Sequence, residues 1–254
     1  MDFKQYLISL NLSNQTLKNH MKNMELGMPL DDFKEDKLMS FIKDEKYTLS
    51  KQKALISTAS KYRRWKVLPN DALLVELRKL NEELLKGQRK RTDAMVVPDI
   101  TELENKMEDY YKQERWLEYT VMFLLLTFNT RNMDLVCKIT SDKNLLNDTE
   151  NWLYVRKNDV VYIRNKYKTV ERYGQKKDII KSKKFHRAVS HINHLLVDLN
   201  NLTNSVIRIT GYNESTIVKA SVCSNNNLKG ISKISKNRGT SMGTISSSYD
   251  ATKC

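Results

Sequence analysis

The sequence has few of the residues that mark several common protein classes. Three cysteines occur among its 254 residues, at widely separated positions. Such an odd, scattered set predicts neither a disulfide framework nor a zinc site, so we expect an intracellular, reducing compartment. No apolar run reaches the roughly 18 residues of a membrane-spanning helix, so we expect no membrane partner. Its seven glycines never take the spacing of a dinucleotide-binding or nucleotide-binding loop.

Histidine and acidic motifs for hydrolytic or metal-dependent chemistry are also missing. The sequence contains no HExxH motif, no Ser-His-Asp order and no paired catalytic carboxylates. His186, His191 and His194 fall on one predicted helix, and the last two, three residues apart, could share a metal. No third ligand is close in the sequence, so a surface or DNA-facing role is favoured. We expect neither a metal nor another cofactor.

Positive charge is what the sequence has in excess. Forty-four Lys and Arg residues face 30 Asp and Glu, which gives a net charge of +14. A field of this sign favours polyanions, with nucleic acid ahead of an acidic membrane surface, although a solvated basic surface is the plain alternative. Residues 156–187 hold twelve Lys or Arg against three acids, with tyrosines interleaved. This pattern predicts a surface that follows a phosphate backbone.

Hydrophobic periodicity predicts an N-terminal bundle of short helices over residues 1–87. The helices start with Ser13, at 35–44, with Ser50 and with Asn70, and the last one stops at Gly87. The third helix ends in a basic stretch around Trp65. Residues 88–99 are charged, contain a proline and show no sustained period, which indicates an interdomain linker.

A second domain, mainly helical, is predicted over residues 100–254. Thr101 and Glu104 form a capping-box pattern, and an apolar segment, WLEYTVMFLLLTFN, predicts a buried helix. The runs WLYV and VVYIR around Asn158-Asp159 predict a hairpin, and KKDII a third strand. Helices follow at 183–201, 215–224, 227–236 and 242–251. The fold class is therefore α+β, mainly α with a small antiparallel sheet.

Arg131 and Asp134 follow the apolar helix directly, in the stretch TRNMDLVCKIT. An arginine there places a planar donor fork at the floor of a cleft, and an acid three residues later could orient it. A capping arginine in an i, i+3 ion pair is the more common explanation for the same pattern. The C-terminal stretch RGTSMGTISSSYD is likewise open to a second interpretation, as a frayed polar tail.

Taken in order, three stretches resemble the tyrosine recombinase (phage-type integrase) family. TRNMDLVCKIT is similar to the family's first arginine box, YIRNKYKTVERYGQKKDII to its catalytic-lysine hairpin, and RGTSMGTISSSY to the segment that ends in the nucleophilic tyrosine. The nine-residue spacing from Thr240 to Tyr249 is the family's own. The resemblance implies an N-terminal helical domain that grips DNA and a C-terminal mixed catalytic domain. We expect a virus or a mobile element as the source.

The resemblance also implies roles for individual residues. Tyr249 would be the nucleophile, Arg131 the first phosphate-binding arginine with Asp134 supporting it, and Lys168 the catalytic lysine, with Lys166 as the fallback. The family's His-x-x-Arg is replaced by TIVK, which puts Thr216 in the histidine place and Lys219 in the arginine place. Arg208 is an alternative second arginine, at an unusually long distance from the tyrosine. Thr240 takes the place of a later histidine or tryptophan.

The activity implied is cleavage and rejoining of duplex DNA through a 3′-phosphotyrosyl intermediate, with self-association on the DNA. Two other classes remain open: a degenerate or unrelated basic protein that binds DNA without cutting it, and an RNA-binding or structural protein that stacks bases on the tyrosine-rich hairpin. We predict eight cations as DNA contacts: Arg63, Arg64, Lys66, Arg164, Lys166, Arg172, Lys176 and Lys177.

Overall fold

A computed structural model of the chain describes residues 2–32, 35–94, 96–225 and 227–249. Its backbone divides into two compact units, unit 1 (residues 1–91) and unit 2 (residues 92–254). No helix in the described ranges combines the length and the hydropathy needed to cross a bilayer.

Unit 1 is built of short helices around one apolar core. That core includes Leu7, Leu38, Ile42, Leu55 and Ile56, all fully buried. The helices are α1 Phe3–Ser9, α2 Asn14–Met24, α3 Glu35–Ile42, α4 Leu49–Trp65 and α5 Asp71–Asp93, the last of which crosses into unit 2.

Local capping explains where these helices begin. Ser13 accepts a hydrogen bond from the Thr16 N–H, which confirms the predicted cap of α2. The predicted cap of α4, Ser50, is wrong: Thr48 accepts from the Lys51 N–H and α4 begins at Leu49. Both residues have a side-chain oxygen that can cap a helix, so residue type alone could not separate two positions so close together.

The helix α5 does not stop at Gly87 as predicted. It runs through that glycine to Asp93, and therefore covers the first six residues of the predicted linker. A glycine costs a helix about 1 kcal/mol relative to alanine, which favourable neighbours can offset. Residues 94–99 separate α5 from the next helix.

Unit 2 is built on a helical layer whose centre is the apolar helix α7. Six residues of α7 are buried, among them Tyr119, Val121 and Leu124, as its nearly uniform apolar sequence predicts. The unit 2 helices are α6 Ile100–Lys112, α7 Trp116–Phe128, α8 Val170–Tyr173, α9 Lys183–Ser190, α10 Leu202–Thr210, α11 Glu214–Ser224, α12 Leu228–Arg238 and α13 Met242–Ser248.

A four-stranded sheet interrupts the helices, in the order β1 Cys137–Thr140, β2 Asn151–Val155, β3 Val160–Arg164 and β4 Lys176–Ile180. The predicted hairpin and third strand are confirmed, since β2–β3 and β3–β4 pair antiparallel. β1 pairs parallel to β2, so the sheet is mixed rather than antiparallel. The sequence CKIT is too short to stand out from the apolar stretch before it.

Several helix boundaries in unit 2 also differ from prediction. Asp99, not Thr101, caps α6, because its carboxylate accepts from the Thr101 N–H. The helix α9 ends at Ser190, and His194 has a left-handed φ of 63°, so the three histidines do not share a helix. The helix α10 was not predicted, whereas α11, α12 and α13 confirm the later helices as far as Ser248.

Two of the three cysteines lie in the described residues. Cys137 is a buried free thiol that donates to the Asp134 carbonyl oxygen over 2.9 Å. Cys223, in α11, is disulfide-bonded. A single bond at Cys223 is not the disulfide framework that the scattered cysteines argued against, and spacing along the chain gave no signal for it.

Candidate active site

Arg131 is brought to the site by a sharp end to α7. Asn129 takes a left-handed conformation (φ 47°) just after the helix, which turns the chain. Asparagine tolerates that region better than most residues because its short side chain can bond locally. Arg131 therefore lies beyond the end of α7 and immediately precedes a 3-10 turn, Asn132–Leu135.

Asp134 supports Arg131 through the backbone rather than through an ion pair. Its carboxylate accepts the Arg131 N–H at 3.3 Å, and its own N–H bonds to the Arg131 carbonyl oxygen at 2.9 Å. Asp134 is buried, and burial raises the pKa of its carboxyl, against the opposing effects of Arg164 and Arg131. Asp134 thus contacts Arg131 through a closed turn, and the i, i+3 side-chain pair is not among the ion pairs of the described residues.

One nitrogen of the Arg131 guanidinium is hydrogen-bonded within the protein. Its Nη1 donates to the Arg238 carbonyl oxygen at 2.5 Å, its one side-chain hydrogen bond within the described residues. The remaining donors of the guanidinium fork can therefore bind a planar or tetrahedral anion. Burial lowers the pKa of Arg131 and the charge of Arg238 lowers it further, whereas Asp134, Glu214 and Tyr249 act to raise it.

Arg238 and Glu214 complete a buried frame that sequence analysis missed. Arg238 ends α12, and its guanidinium donates to Glu214 at 2.6 Å and to the Asn129 carbonyl oxygen at 2.9 Å. The same carboxylate accepts the Asn132 N–H at 2.7 Å. One glutamate at the start of α11 thus ties together the turn that carries Arg131 and the end of α12. The RG pair at 238–239 was the available signal, because arginine and then glycine are typical of a helix end.

Tyr249 is the residue that follows α13 and caps its C-terminal end. Its ring packs against a small apolar cluster that includes Val218, Val222 and Ile245. The phenol is close enough to Arg131 to act on the pKa of the guanidinium. The described part of the C-terminal stretch is therefore helical up to Ser248 rather than frayed.

The connection between β3 and β4 packs against the end of α12. The Thr169 hydroxyl donates to the Gly239 carbonyl oxygen at 2.6 Å. Gly239 has a φ of 59°, and a Cβ there would lie 2.9 Å from the Thr169 Oγ1 and 3.1 Å from the Lys176 Nζ. Only glycine meets both requirements, the left-handed backbone and the close approach of the hairpin.

Lys176, the first residue of β4, contacts the end of α12. Its Nζ donates to the Lys236 carbonyl oxygen at 2.5 Å and to that of Asn237 at 3.1 Å. Burial, followed by the positive charge of Arg164, lowers the pKa of Lys176 to about 8, and Arg131 is close enough to contribute. A lysine with this pKa is partly deprotonated near neutral pH, as a proton donor and acceptor must be.

Lys168 and Lys166, the predicted catalytic lysine and its fallback, lie elsewhere on the same connection. Both are exposed, and in the described residues neither side chain forms a hydrogen bond or an ion pair. Sequence analysis had placed Lys176 among the DNA contacts only. Its distinguishing property is the pKa, which arises from tertiary packing that no local pattern records.

A basic cleft of about 560 Å³ opens beside Lys176. Four cationic side chains and one carboxylate, that of Asp178, contribute to its wall. The lining includes Arg164, Lys176, Lys177, Asp178, Lys236 and Thr240. The excess of positive charge makes this cleft suited to a phosphate group.

Three candidates carried over from the resemblance lie outside the open cleft or only at its edge. Lys219 is 1% exposed in the middle of α11, where it has partners inside the protein. Thr216 is buried on the same helix, and its hydroxyl lies 3.2 Å from the Asn213 Oδ1. Thr240 lines the cleft, with its N–H bonded to the Ser235 carbonyl oxygen at 3.0 Å.

The alternative second arginine, Arg208, is not brought to the site. It is exposed and pairs at 3.9 Å with Glu118, in the first turn of α7. Arg131 follows the other end of that helix, and at 1.5 Å per residue the two ends are about 18 Å apart.

Two of the predicted DNA contacts are structural. Arg164 is buried, paired with Asp178 at 2.7 Å and bonded to the Asn237 carbonyl oxygen at 2.9 Å. Arg63 is fully buried in unit 1, where its Nη1 donates to the Asp32 carbonyl oxygen at 2.8 Å. Arg63 therefore cannot contact DNA, and the prediction is wrong for it. The exposed members of the set are Arg64, Lys66, Lys166, Arg172 and Lys177.

Comparison with solved structures finds a weak likeness. The crystal structure of XerA recombinase matches at 10% sequence identity and a TM-score of 0.37, over 97% of this chain and 90% of that one. No protein-family model matches the chain. No curated protein matches its sequence either. At this TM-score the likeness carries no argument about chemistry, which must come from the site itself.

The arrangement as a whole combines cationic donors with a phenol. Arg131 offers unused donors, Lys176 a proton that is readily lost, and Tyr249 a hydroxyl within electrostatic reach of the guanidinium. Within the described residues, no group of three histidine, cysteine or acidic side chains is arranged to hold a metal ion. In general, cationic donors of this kind can bind an anion, and a phenol can act as a nucleophile.

Proposed function

We propose that the chain binds duplex DNA and cleaves and rejoins it through a covalent bond between Tyr249 and a backbone phosphate. The observation that supports the proposal is that Arg131 lies within electrostatic range of both Tyr249 and Lys176, and that Lys176 lines the basic cleft. Tyr249 follows α13, Arg131 lies in the turn after α7, and Lys176 is the first residue of β4. A guanidinium coupled to both a phenol and an ammonium group is what a phosphotyrosyl mechanism requires, and a merely basic surface does not need it.

The proposed reaction is an in-line displacement at phosphorus. The Tyr249 hydroxyl gives its proton to solvent as its oxygen attacks the phosphorus, the bond to the 5′-oxygen breaks, and a 3′-phosphotyrosyl link and a 5′-hydroxyl are the products. Arg131 stabilises the charge that builds on the non-bridging oxygens, for which its free donors are suited. The 5′-hydroxyl of another strand reverses the step, releases the tyrosine and reseals the backbone.

In this mechanism Lys176, rather than Lys168, gives the departing 5′-oxygen its proton. Protonation by a general acid is most effective when the pKa of the acid lies near the working pH. The pKa of Lys176, about 8, meets that condition, and its Nζ is held beside the end of α12 by two carbonyl groups. The exposed Lys168 then contributes at most a phosphate contact.

A suicide substrate tests the proposal directly. A duplex nicked so that the short fragment with the free 5′-hydroxyl diffuses away traps the covalent product, which runs as a shifted band on a denaturing gel. Tyr249→Phe should abolish this band and leave duplex affinity unchanged. Tyr154→Phe is the matched control, since it removes a phenol from β2, outside the site, and should retain the band. An adduct that persists in the Tyr249→Phe protein rules out the proposed nucleophile.

A second function is a DNA-binding protein that does not cut. Two observations favour it: Thr216 stands where the family has histidine, and Lys219 is buried with partners inside the protein. The gel above separates the two functions, because a pure binder retards the duplex on a native gel and gives no denaturant-stable band.

A further inference from the structure

The turn that follows α4 in unit 1 carries a valine where helices usually end on glycine. Val67 has a φ of 57°, a left-handed conformation that β-branched residues rarely adopt. Its N–H bonds to the Arg64 carbonyl oxygen at 3.2 Å, and the Leu68 N–H bonds to that of Arg63 at 2.8 Å. This pair of hydrogen bonds defines the Schellman motif, and Val67 occupies the position that is normally glycine.

Packing within the protein does not compensate for this strain. Val67 is 90% exposed, so its methyl groups bury almost no surface in the described chain. Glycine would form the same turn without the steric cost. A strained backbone that serves no internal packing is most often found at functional sites. Val67 is therefore a candidate for contact with another molecule.

Contacts with other residues of unit 1 hold the turn in place. Arg63 donates from Nε to the Pro69 carbonyl oxygen at 2.6 Å and from Nη1 to that of Asp32 at 2.8 Å. The Trp65 ring packs on Phe3, with ring centroids 5.7 Å apart. Val67 is thus presented from a fixed base, which lowers the entropy lost when it binds.

The charges around Val67 indicate the partner. Arg64 and Lys66 are exposed, and the Lys66 Nζ lies 4.6 Å over the Trp65 ring. Two acids of the segment that Arg63 contacts are already engaged, Asp31 by the Tyr62 hydroxyl at 2.9 Å and Asp32 by Lys37 at 3.1 Å. Two cations that flank an exposed apolar tip match a groove of duplex DNA, which has phosphates on both rims and apolar sugar and base surfaces between them.

We propose that the tip of this turn, residues 64–67, enters a groove of duplex DNA, with Val67 against the groove wall and Arg64 and Lys66 on phosphates. The inference rests on the proposed function, since it assumes that duplex DNA is the substrate. It adds a shape-dependent contact to the electrostatic ones that the basic composition already implies.

The test uses full-length protein and a short fluorescein-labelled duplex, with affinity followed by anisotropy. Val67→Gly and Val67→Asn both relieve the strain, and both should weaken binding by about tenfold, the loss of one partly buried valine contact. Val67→Gly should at the same time raise the urea midpoint. Val75→Ala, a truncation at an exposed position of α5, is the control and should leave affinity unchanged.

Salt dependence separates the cations from the valine. Arg64→Gln and Lys66→Gln should each reduce the log–log salt slope by about 0.9, the value for one phosphate contact, whereas Val67→Gly should leave the slope intact. Lys79→Gln, an exposed cation of α5, is the charge control. If the wild-type protein does not bind the duplex, the proposed function fails as well. If it binds and the Val67 variants bind equally well, only the assignment of the turn is overturned.

Discussion

Lys176 is the residue whose behaviour depends most on its surroundings. Its ammonium group is partly buried beside Arg164, and these two effects lower its pKa to about 8. The same lysine in an unfolded chain would stay protonated to a pH near 10. The acid form is therefore fully available below pH 8 and is lost as the pH rises through 8. This loss of the protonated lysine with rising pH leads to a kinetic prediction.

We expect kcat/KM for suicide-substrate cleavage to fall about tenfold per pH unit above pH 8, because this parameter reports the free protein. Single-turnover rates at subsaturating DNA measure it. In Lys176→Arg the side chain cannot deprotonate in this range, so the alkaline limb should disappear. Lys168→Ala should retain the limb. A limb that vanishes in Lys168→Ala and survives in Lys176→Arg would reverse the assignment.

At the scale of elements, periodicity and turn residues predicted most of the fold. The buried helix α7, the β2–β3 hairpin around Asn158-Asp159 and the strand KKDII follow from local pattern and are confirmed. The strand β1 could not be predicted, because its partner in the parallel pair lies more than ten residues away and four residues carry no period. Long-range pairing is settled by tertiary packing rather than by propensity.

The site was predictable only in part, for the same reason. Sequence order pointed to Arg131 and Tyr249, which the fold places within electrostatic reach of each other. The pair formed by Glu214 and Arg238 joins residues 24 positions apart. Although the Arg238-Gly239 dipeptide marks a helix end, no local pattern indicates that the two side chains meet. Arg63 resembled an exposed DNA contact because its neighbours Arg64 and Lys66 are exposed, and only the helix phase relative to the core makes it buried.

The contact between the β3–β4 connection and the end of α12 can be tested with two glycines of opposite character. Gly239→Ala would force a Cβ to 2.9 Å from Thr169 in a left-handed backbone, and we expect a loss of about 1–3 kcal/mol in the free energy of unfolding. Gly87→Ala lies inside α5 with nothing within 4 Å, so it should gain up to about 1 kcal/mol. Urea denaturation measures both changes. If both substitutions changed the free energy of unfolding in the same direction, the result would contradict the close packing at Gly239.

At the scale of the whole molecule, both units carry the same excess of positive charge. Residues 1–91 hold 19 Lys and Arg against 12 Asp and Glu, and residues 92–254 hold 25 against 18, so each has a net charge of +7. The positive charge is therefore not confined to one of the two units. A duplex that binds both units gains from their covalent connection, because the second contact becomes intramolecular.

Severing that connection gives the last prediction. A specific protease site inserted between Asp93 and Ile100 lies where α5 has ended and α6 has not begun. Cleavage there should lower duplex affinity by about 10²-fold or more, since the two units then bind as separate molecules. Anisotropy before and after digestion measures the change, and the uncut insertion variant should bind like the wild type. Circular dichroism must show that helix content survives the cut. If affinity is unchanged in the digested protein, one unit alone holds the DNA, and either the turn at Val67 or the cleft at Lys176 has no part in binding.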